Sequence, residues 1–166
     1  SSDVCSSDLT WDATPQAMDQ AKRKLRLATL VQMTLPGSPT VYYGDEVGLS
    51  GGDDPYNRMP YPWADQGGQP DLALRADFKA LLQLRQKHAV LRRGVLQAPL
   101  FSDGHAVVLM RQHGAQSVLV AYNNSEQAQT VTLETPSALR GQSGVLWWRA
   151  GTVHVQGSTM TLTVPP

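Results

Sequence analysis

The sequence is short of several things that would mark a function class. It has one cysteine, Cys5, in 166 residues, which excludes an internal disulfide and a thiolate metal cluster. It has no excess of either charge: 14 Lys and Arg stand against 14 Asp and Glu. A neutral chain lacks the electrostatic footprint of a nucleic-acid binder, so no nucleic-acid partner is expected. Charged residues make up only 17% while 41% are hydrophobic, a balance that excludes disorder by composition. No apolar run approaches the roughly 20 residues that span a bilayer, and no membrane partner is expected. Common chemical signatures are missing too. There is no Gly-x-Gly-x-x-Gly around Gly44, Gly48 and Gly51, and no Gly-x-Ser-x-Gly. The four histidines, His88, His105, His113 and His154, lack metal-ligand spacing. Gly51-Gly52-Asp53-Asp54-Pro55 is not followed by the glutamate of an EF-hand. Neither a metal site nor a cofactor is expected.

What is abundant is punctuation: 14 Gly and 11 Pro imply a loop-rich globular chain. The opening Ser-Ser-Asp-Val-Cys-Ser-Ser-Asp-Leu has no basic n-region and no apolar h-region, so it is no signal peptide. It does match, codon for codon, the in-frame reading of a common DNA sequencing adapter. Residues 1–9 are therefore read as a scar and left out of fold reasoning.

From Thr10 to Leu35 the pattern predicts a helix, with Thr14 as its cap and Pro15 at its first position. Pro36-Gly37-Ser38-Pro39 stops it. Thr40-Val41-Tyr42-Tyr43 is a β-branched and aromatic run, predicting a short strand buried on both faces. Gly44 to Gly68 is a long Gly/Pro/Asp loop, and loops of that length are usually functional. Asp71 should cap a second helix running to about His88, with Leu74, Phe78, Leu81 and Leu82 on its apolar stripe.

The character changes at Val95. Short alternating segments follow at 95–100, 105–111, 117–122, 129–133, 145–148 and 159–164, separated by turn residues such as Ser102-Asp103-Gly104 and Gln156-Gly157-Ser158. Such spacing predicts a small antiparallel sandwich or barrel. The expected organisation is thus an α/β piece over 10–94 and an all-β domain over 95–166. A buried strand between two helices belongs to an α/β unit, and one strand makes no sheet. Residues 10–90 look like the last piece of a larger α/β fold, with a site-facing loop at the strand's carboxyl end.

Within that loop Asp45, Glu46, Asp53, Asp54 and Arg58 carry charge. Asp45 and Glu46 are adjacent and leave the strand in opposite directions, which makes them a poor acid/base pair. Loop-anchoring hydrogen bonds are the plainer role. Asp54 and Arg58 are four residues apart; a carboxylate that accepts and a guanidinium that donates in a fixed fork suit vicinal sugar hydroxyls, and they equally suit one another as an ion pair. Tyr42, Tyr43, Tyr56, Tyr61 and Trp63 crowd the same region; aromatic faces stack on pyranose rings, and they also fill cores. Asn123-Asn124-Ser125 reads either as a glycosylation sequon or as a hairpin turn. Trp147 and Trp148 alternate on a strand, a weak signal of a sugar platform.

The stretch Leu35-Pro-Gly-Ser-Pro-Thr-Val-Tyr-Tyr-Gly-Asp-Glu-Val-Gly-Leu49 closely resembles the end of the barrel in alpha-amylase family glycoside hydrolases. Asp54-Pro-Tyr-Asn-Arg58 with Pro60 and Trp63 is similar to the segment typical of the family's cyclomaltodextrinase, neopullulanase and alpha-glucosidase-like members. Leu82 to Leu91 resembles the last barrel helix. The resemblance implies the last helix–strand–helix unit of a (β/α)8 barrel followed by a C-terminal antiparallel β-sandwich. It implies a retaining mechanism on alpha-glucosidic bonds, with an alpha-glucan or maltooligosaccharide as substrate and no cofactor. Asp54 and Arg58 fall at positions that hold a glucose unit. Tyr43, Gly44, Asp45, Glu46 and Trp63 fall at positions that shape or support the site. The three catalytic carboxylates of such enzymes follow earlier strands, the last in an Asn-His-Asp motif, and no Asn-His-Asp occurs here. None of the three is implied for any residue of this sequence, and the 166-residue chain is expected to be inactive as a C-terminal fragment. Two other readings remain open: a non-catalytic, amylase-like scaffold or partner protein, and a carbohydrate-binding β-module over 95–166.

Overall fold

A computed structural model describes residues 13–141 and 151–166. The expected scar at 1–9 and the expected strand at 145–148, with Trp147 and Trp148, lie outside the described residues. The described residues divide into two compact units, one formed by 13–33 together with 38–83, the other by 34–37 together with 84–141 and 151–166.

The first unit rests on two helices. Helix α1 spans Pro15–Thr34, and the Thr14 hydroxyl caps it by accepting the Ala17 N–H at 3.2 Å. Helix α2 spans Leu72–Lys87; the Asp71 carboxylate caps it by accepting the Leu74 N–H at 2.9 Å. The same carboxylate meets the Lys22 ammonium of α1 at 2.7 Å, and Arg26 meets Asp77 at 2.6 Å. Both pairs bracket a small core of Leu25, Leu74 and Phe78, with Met18, Ala21 and Val41 at its margin.

Two expectations need correction here. Leu82 is 44% exposed while Leu74 and Leu81 are buried. At 100° per residue Leu81 returns to within about 20° of Leu74, whereas Leu82 lies about 80° away, beyond the narrow face that is covered. Thr40–Tyr43 forms no strand: the backbone there is irregular before turning at Tyr43, and Tyr42 and Tyr43 are exposed. A strand exists only through its ladder of partners, and among the described residues no neighbour pairs with this run. The expected helix–strand–helix is therefore a helix–loop–helix in this structure. The Thr40 carbonyl instead accepts the Gln32 side-chain amide at 2.6 Å.

The second unit begins with helix α3, Ala89–Arg93, and continues as two antiparallel sheets. In the first, β1 (Val95–Leu96) and β2 (Phe101–Ser102) pair with the two ends of β3 (Ala106–His113). Strand β4 (Gln116–Asn123) pairs along the whole of β3, from Ala106 opposite Asn123 to His113 opposite Gln116. In the second sheet the order is β5 (Gln129–Glu134), β7 (Thr159–Val164), β6 (Thr152–Gln156). The β6–β7 hairpin turns at Gly157, whose φ of 62° is the left-handed conformation such two-residue loops favour.

Ala106 and Val108 from the first sheet pack with Val131, Met160 and Leu162 from the second. The inward residues alternate along each strand, so the core is the filling between two sheet faces. Two antiparallel sheets are present among the described residues, as expected; β2 and β6 are not among the expected strands, the expected 95–100 pairs only at Val95–Leu96, and 145–148 lies outside the described residues. The sequon reading is resolved at Asn123. Its side-chain amide is buried and donates to the carbonyls of Gln127 at 2.8 Å, Val164 at 3.1 Å and Pro165 at 3.2 Å. It is a turn anchor whose nitrogen is already engaged.

Candidate functional site

The loop between α1 and α2 carries every residue singled out as a substrate or site residue. It is a series of tight turns rather than a slack connection. The first is a 3₁₀ turn at Asp45–Val47 between Gly44 and Gly48, which sit at φ 93° and 67°. Glycine is required at 44 twice over: the conformation is left-handed, and a Cβ there would lie 2.6 Å from Leu49 Cδ2 and 2.8 Å from Leu49 Cβ. The Glu46 carboxylate accepts the Gly44 N–H at 2.9 Å, so Glu46 anchors the turn as the plainer reading supposed. The Val47 carbonyl then accepts the Asp71 N–H at 3.0 Å, joining this turn to the start of α2.

Asp45 points to a different environment from its neighbour. Its Oδ1 is buried and has no hydrogen-bond partner among the described residues. Burial, with a smaller contribution from the Glu46 carboxylate, pushes its carboxyl from the ordinary 3.8 up to about 6. One carboxylate spent on the backbone and one orphaned beside it do not make a cooperating acid/base pair.

The second turn holds Asp54 and Arg58. The Tyr56 N–H donates to the Asp53 carbonyl at 2.7 Å and the Arg58 N–H to the Pro55 carbonyl at 3.2 Å, folding Tyr56–Arg58 into a 3₁₀ turn after a cis Asp54–Pro55 peptide. The Arg58 guanidinium donates to the Asp54 carboxylate. Both side chains are 66% exposed, so each keeps donor or acceptor atoms facing water. The two readings of this pair are compatible: the ion pair exists, and it stands in the open.

Aromatic rings surround it on the same loop. The Tyr43 hydroxyl donates to the Met59 carbonyl at 3.0 Å, tying the start of the loop to the residue after Arg58. Tyr42 and Tyr43 contact at a ring-centroid distance of 4.9 Å, and Tyr61 and Trp63 at 4.5 Å. Tyr42, Tyr43, Tyr56 and Trp63 are each about half exposed. The expectation that Tyr42 and Tyr43 are strand-borne core residues fails for the reason that the strand fails. The loop therefore offers a carboxylate, a guanidinium and exposed ring faces, the mixture that binds a polyhydroxylated ligand with apolar faces. Among the described residues no group of three His, Cys, Asp or Glu side chains gathers to hold a metal ion.

Sequence reasoning missed the orphaned oxygen of Asp45 and the Tyr43–Met59 tie. The first has no sequence signal, since adjacent acids look alike until one is buried. No family model matches the chain. An amylopullulanase of Thermoanaerobacterium saccharolyticum is 35% identical over 130 residues, covering 72% of this chain and 10% of that protein. A cyclomaltodextrinase of a Bacillus species is 37% identical over 114 residues, 68% of this chain and 20% of its own length. The chain belongs to the alpha-amylase family. A solved debranching enzyme of Nostoc punctiforme superposes on 89% of this alpha-amylase family chain with a TM-score of 0.72 and 29% identity, using 29% of its own length. The chain thus spans about a tenth to a fifth of the length of these curated relatives.

Proposed function

We propose that this chain is the C-terminal part of a retaining glycoside hydrolase acting on alpha-glucosidic bonds, with a maltooligosaccharide, starch or cyclodextrin as substrate. Residues 10–94 are read as the end of the catalytic barrel and 95–166 as its C-terminal β-sandwich domain. Asp54 and Arg58 hold a glucosyl unit. Tyr43, Gly44, Asp45, Glu46 and Trp63 support that subsite. The reading is carried by one observation: the Asp54–Arg58 pair is exposed on a turn-locked loop flanked by half-exposed aromatic rings. Its relatives' names, amylopullulanase and cyclomaltodextrinase, support the substrate class.

In a retaining enzyme one carboxylate attacks the anomeric carbon and a second protonates the leaving oxygen, then activates water. The loop has no pair placed for these tasks, since Glu46 binds Gly44 N–H and the buried Oδ1 of Asp45 has no partner among the described residues. Its part is to bind and orient. The carboxylate accepts sugar O–H groups, the guanidinium donates to sugar oxygens in a planar fork, and a ring face covers the C–H face of the pyranose.

The test is calorimetric or NMR titration of the purified 166-residue chain with maltotriose. Saturable binding at loop 44–70 is expected, with Asp54→Ala and Arg58→Ala each weakening it about tenfold, as loss of one charge-assisted hydrogen bond does. Variants that bind as the parent does would overturn the subsite. The same chain is expected to release no glucose from maltose, maltotriose or cyclodextrin, and measurable release would overturn the assignment of a purely binding role.

A further inference from the structure

The β-sandwich unit has a cleft of its own, where the end of β5 runs into the turn that follows it. Its volume is about 380 Å³, and Leu100, Leu133 and residues 134–137 with Arg140 line it. That is at the lower end of the roughly 300–1,000 Å³ of small-molecule sites. The turn is pinned from several sides. The Thr135 N–H donates to the Ser158 carbonyl at 2.7 Å and the Leu139 N–H to the Pro136 carbonyl at 2.8 Å. The Arg140 Nε donates to the Thr135 carbonyl at 3.2 Å.

That last bond fixes the guanidinium by its inner nitrogen. Among the described residues the two outer nitrogens have no further partner. Glu134, exposed at the strand end, has neither an ion-pair nor a hydrogen-bond partner for its carboxylate among the described residues. Thr135 is 1% exposed, and its buried hydroxyl oxygen is likewise unpartnered.

We propose that this cleft is a second saccharide-binding site, taking one or two pyranose units, independent of Asp54 and Arg58. The chemistry of the lining selects the class. One carboxylate and one guanidinium sum to no charge, so an ion of either sign meets a like charge as well as an opposite one. A neutral hydroxyl-rich ligand meets neither. Its O–H groups donate to Glu134, its oxygens accept from the outer nitrogens of Arg140, and the exposed Ser137 hydroxyl does either. Leu100 and Pro136 supply apolar walls for the C–H edges of the ring.

The two sites lie in different units and report through different residues, so one can fail without the other. The experiment is an NMR titration of the purified chain with maltose, following backbone amides, beside a parallel titration with acetate. Maltose is expected to shift the amides of Glu134, Thr135 and Arg140 saturably, with a dissociation constant on the order of a few millimolar. Glu134→Ala and Ser137→Ala leave the Arg140–Thr135 bond intact and should each weaken binding severalfold. Arg140→Lys keeps the charge but loses the fork, and should weaken it at least as much. Asp54→Ala should leave these shifts unchanged. The proposal is overturned if maltose shifts nothing at 134–140 while it saturates loop 44–70, or if acetate saturates the cleft and maltose does not. Retention of full affinity in both Glu134→Ala and Ser137→Ala would overturn it as well.

Discussion

Arg85 and Arg111 donate to the same carbonyl oxygen, that of Leu91. Arg111 also reaches the Thr34 carbonyl at 2.8 Å and the Gly94 carbonyl at 2.5 Å. Arg85 reaches the Leu35 carbonyl at 3.1 Å and the Gly37 carbonyl at 2.6 Å. The acceptors are the final carbonyls of α1 and α3 and the residues just beyond them. Helix C-termini leave such carbonyls unpaired and partially negative, so the two buried cations stand where cations are favoured, with backbone carbonyls in place of carboxylate partners. Burial and each guanidinium's cationic neighbour, Arg85 for Arg111 and Arg92 for Arg85, hold both below the usual arginine range.

This arrangement makes Arg111 a stability determinant. Arg111→Met would leave the carbonyls of Thr34 and Gly94 without their guanidinium partner. Hydrogen bonds to charged groups contribute about 1.5–3 kcal/mol each, and breaking a buried charged network costs about 3–5 kcal/mol. We expect Arg111→Met to cost about 3 kcal/mol in urea unfolding followed by the β-sheet signal. Arg111→Lys should recover less than half, since an ammonium lacks the planar fork. A loss under about 0.5 kcal/mol, the range of ordinary surface changes, would show the network to be incidental.

Asp45 sets a pH dependence of unusual sign for a carboxylate. Its pKa is about 6 in the folded chain against an ordinary 3.8. Between these values the folded state holds a proton that the unfolded state has released, so stability falls as pH rises through the window. A fully buried group would contribute about 3 kcal/mol; Asp45 is only partly buried, and screening by water reduces this to on the order of 1 kcal/mol. Asp45→Asn should flatten the profile of the first unit between pH 4 and pH 6. Asp71, held low because the Leu74 N–H and Lys22 outweigh its burial, acts in the opposite direction and is lost only at lower pH. A melt of Asp45→Asn with the parent's pH slope would refute the assignment.

Two glycines separate backbone strain from crowding. Gly44 and Gly67 both have left-handed φ, 93° and 82°. A Cβ at Gly67 meets nothing within 4 Å, whereas one at Gly44 meets the inner carbons of Leu49. Gly67→Ala should cost about 1 kcal/mol, the conformational term alone. Gly44→Ala should cost roughly 2–4 kcal/mol, because overpacking adds its own penalty. Thermal melts of the two variants compare them directly, and equal losses would mean that Leu49 moves aside freely.

What was legible in the sequence is what local chemistry dictates. Thr14, Pro15 and Asp71 mark helix starts by capping, and β7 at 159–164 shows its alternation without competition. The loop was legible because Gly, Pro and Asp leave few alternatives. Thr40–Tyr43 misled because β-propensity is a property of side chains, whereas a strand is a property of pairs. Strand β6 was missed because Val153 and Val155 are both exposed, so their alternation marks no buried face. The Arg85–Arg111 cluster was invisible because its acceptors are backbone carbonyls, which every residue has.

The Asp54–Arg58 pair separates binding from folding. Its members are four residues apart and 66% exposed, so the attraction is screened and offset by the entropy of ordering two side chains. A double-mutant cycle of Asp54→Ala and Arg58→Ala should give a stability coupling below about 0.5 kcal/mol, and each variant should melt within a degree or two of the parent. The loop is held instead by Glu46, by Tyr43 on Met59 and by the backbone bonds of the Tyr56–Arg58 turn. Any loss of maltotriose binding in these variants is then a loss of contacts to the sugar rather than of the loop. A coupling above about 2 kcal/mol would instead make the pair a structural clamp, and the saccharide reading of Asp54 and Arg58 would lose its support.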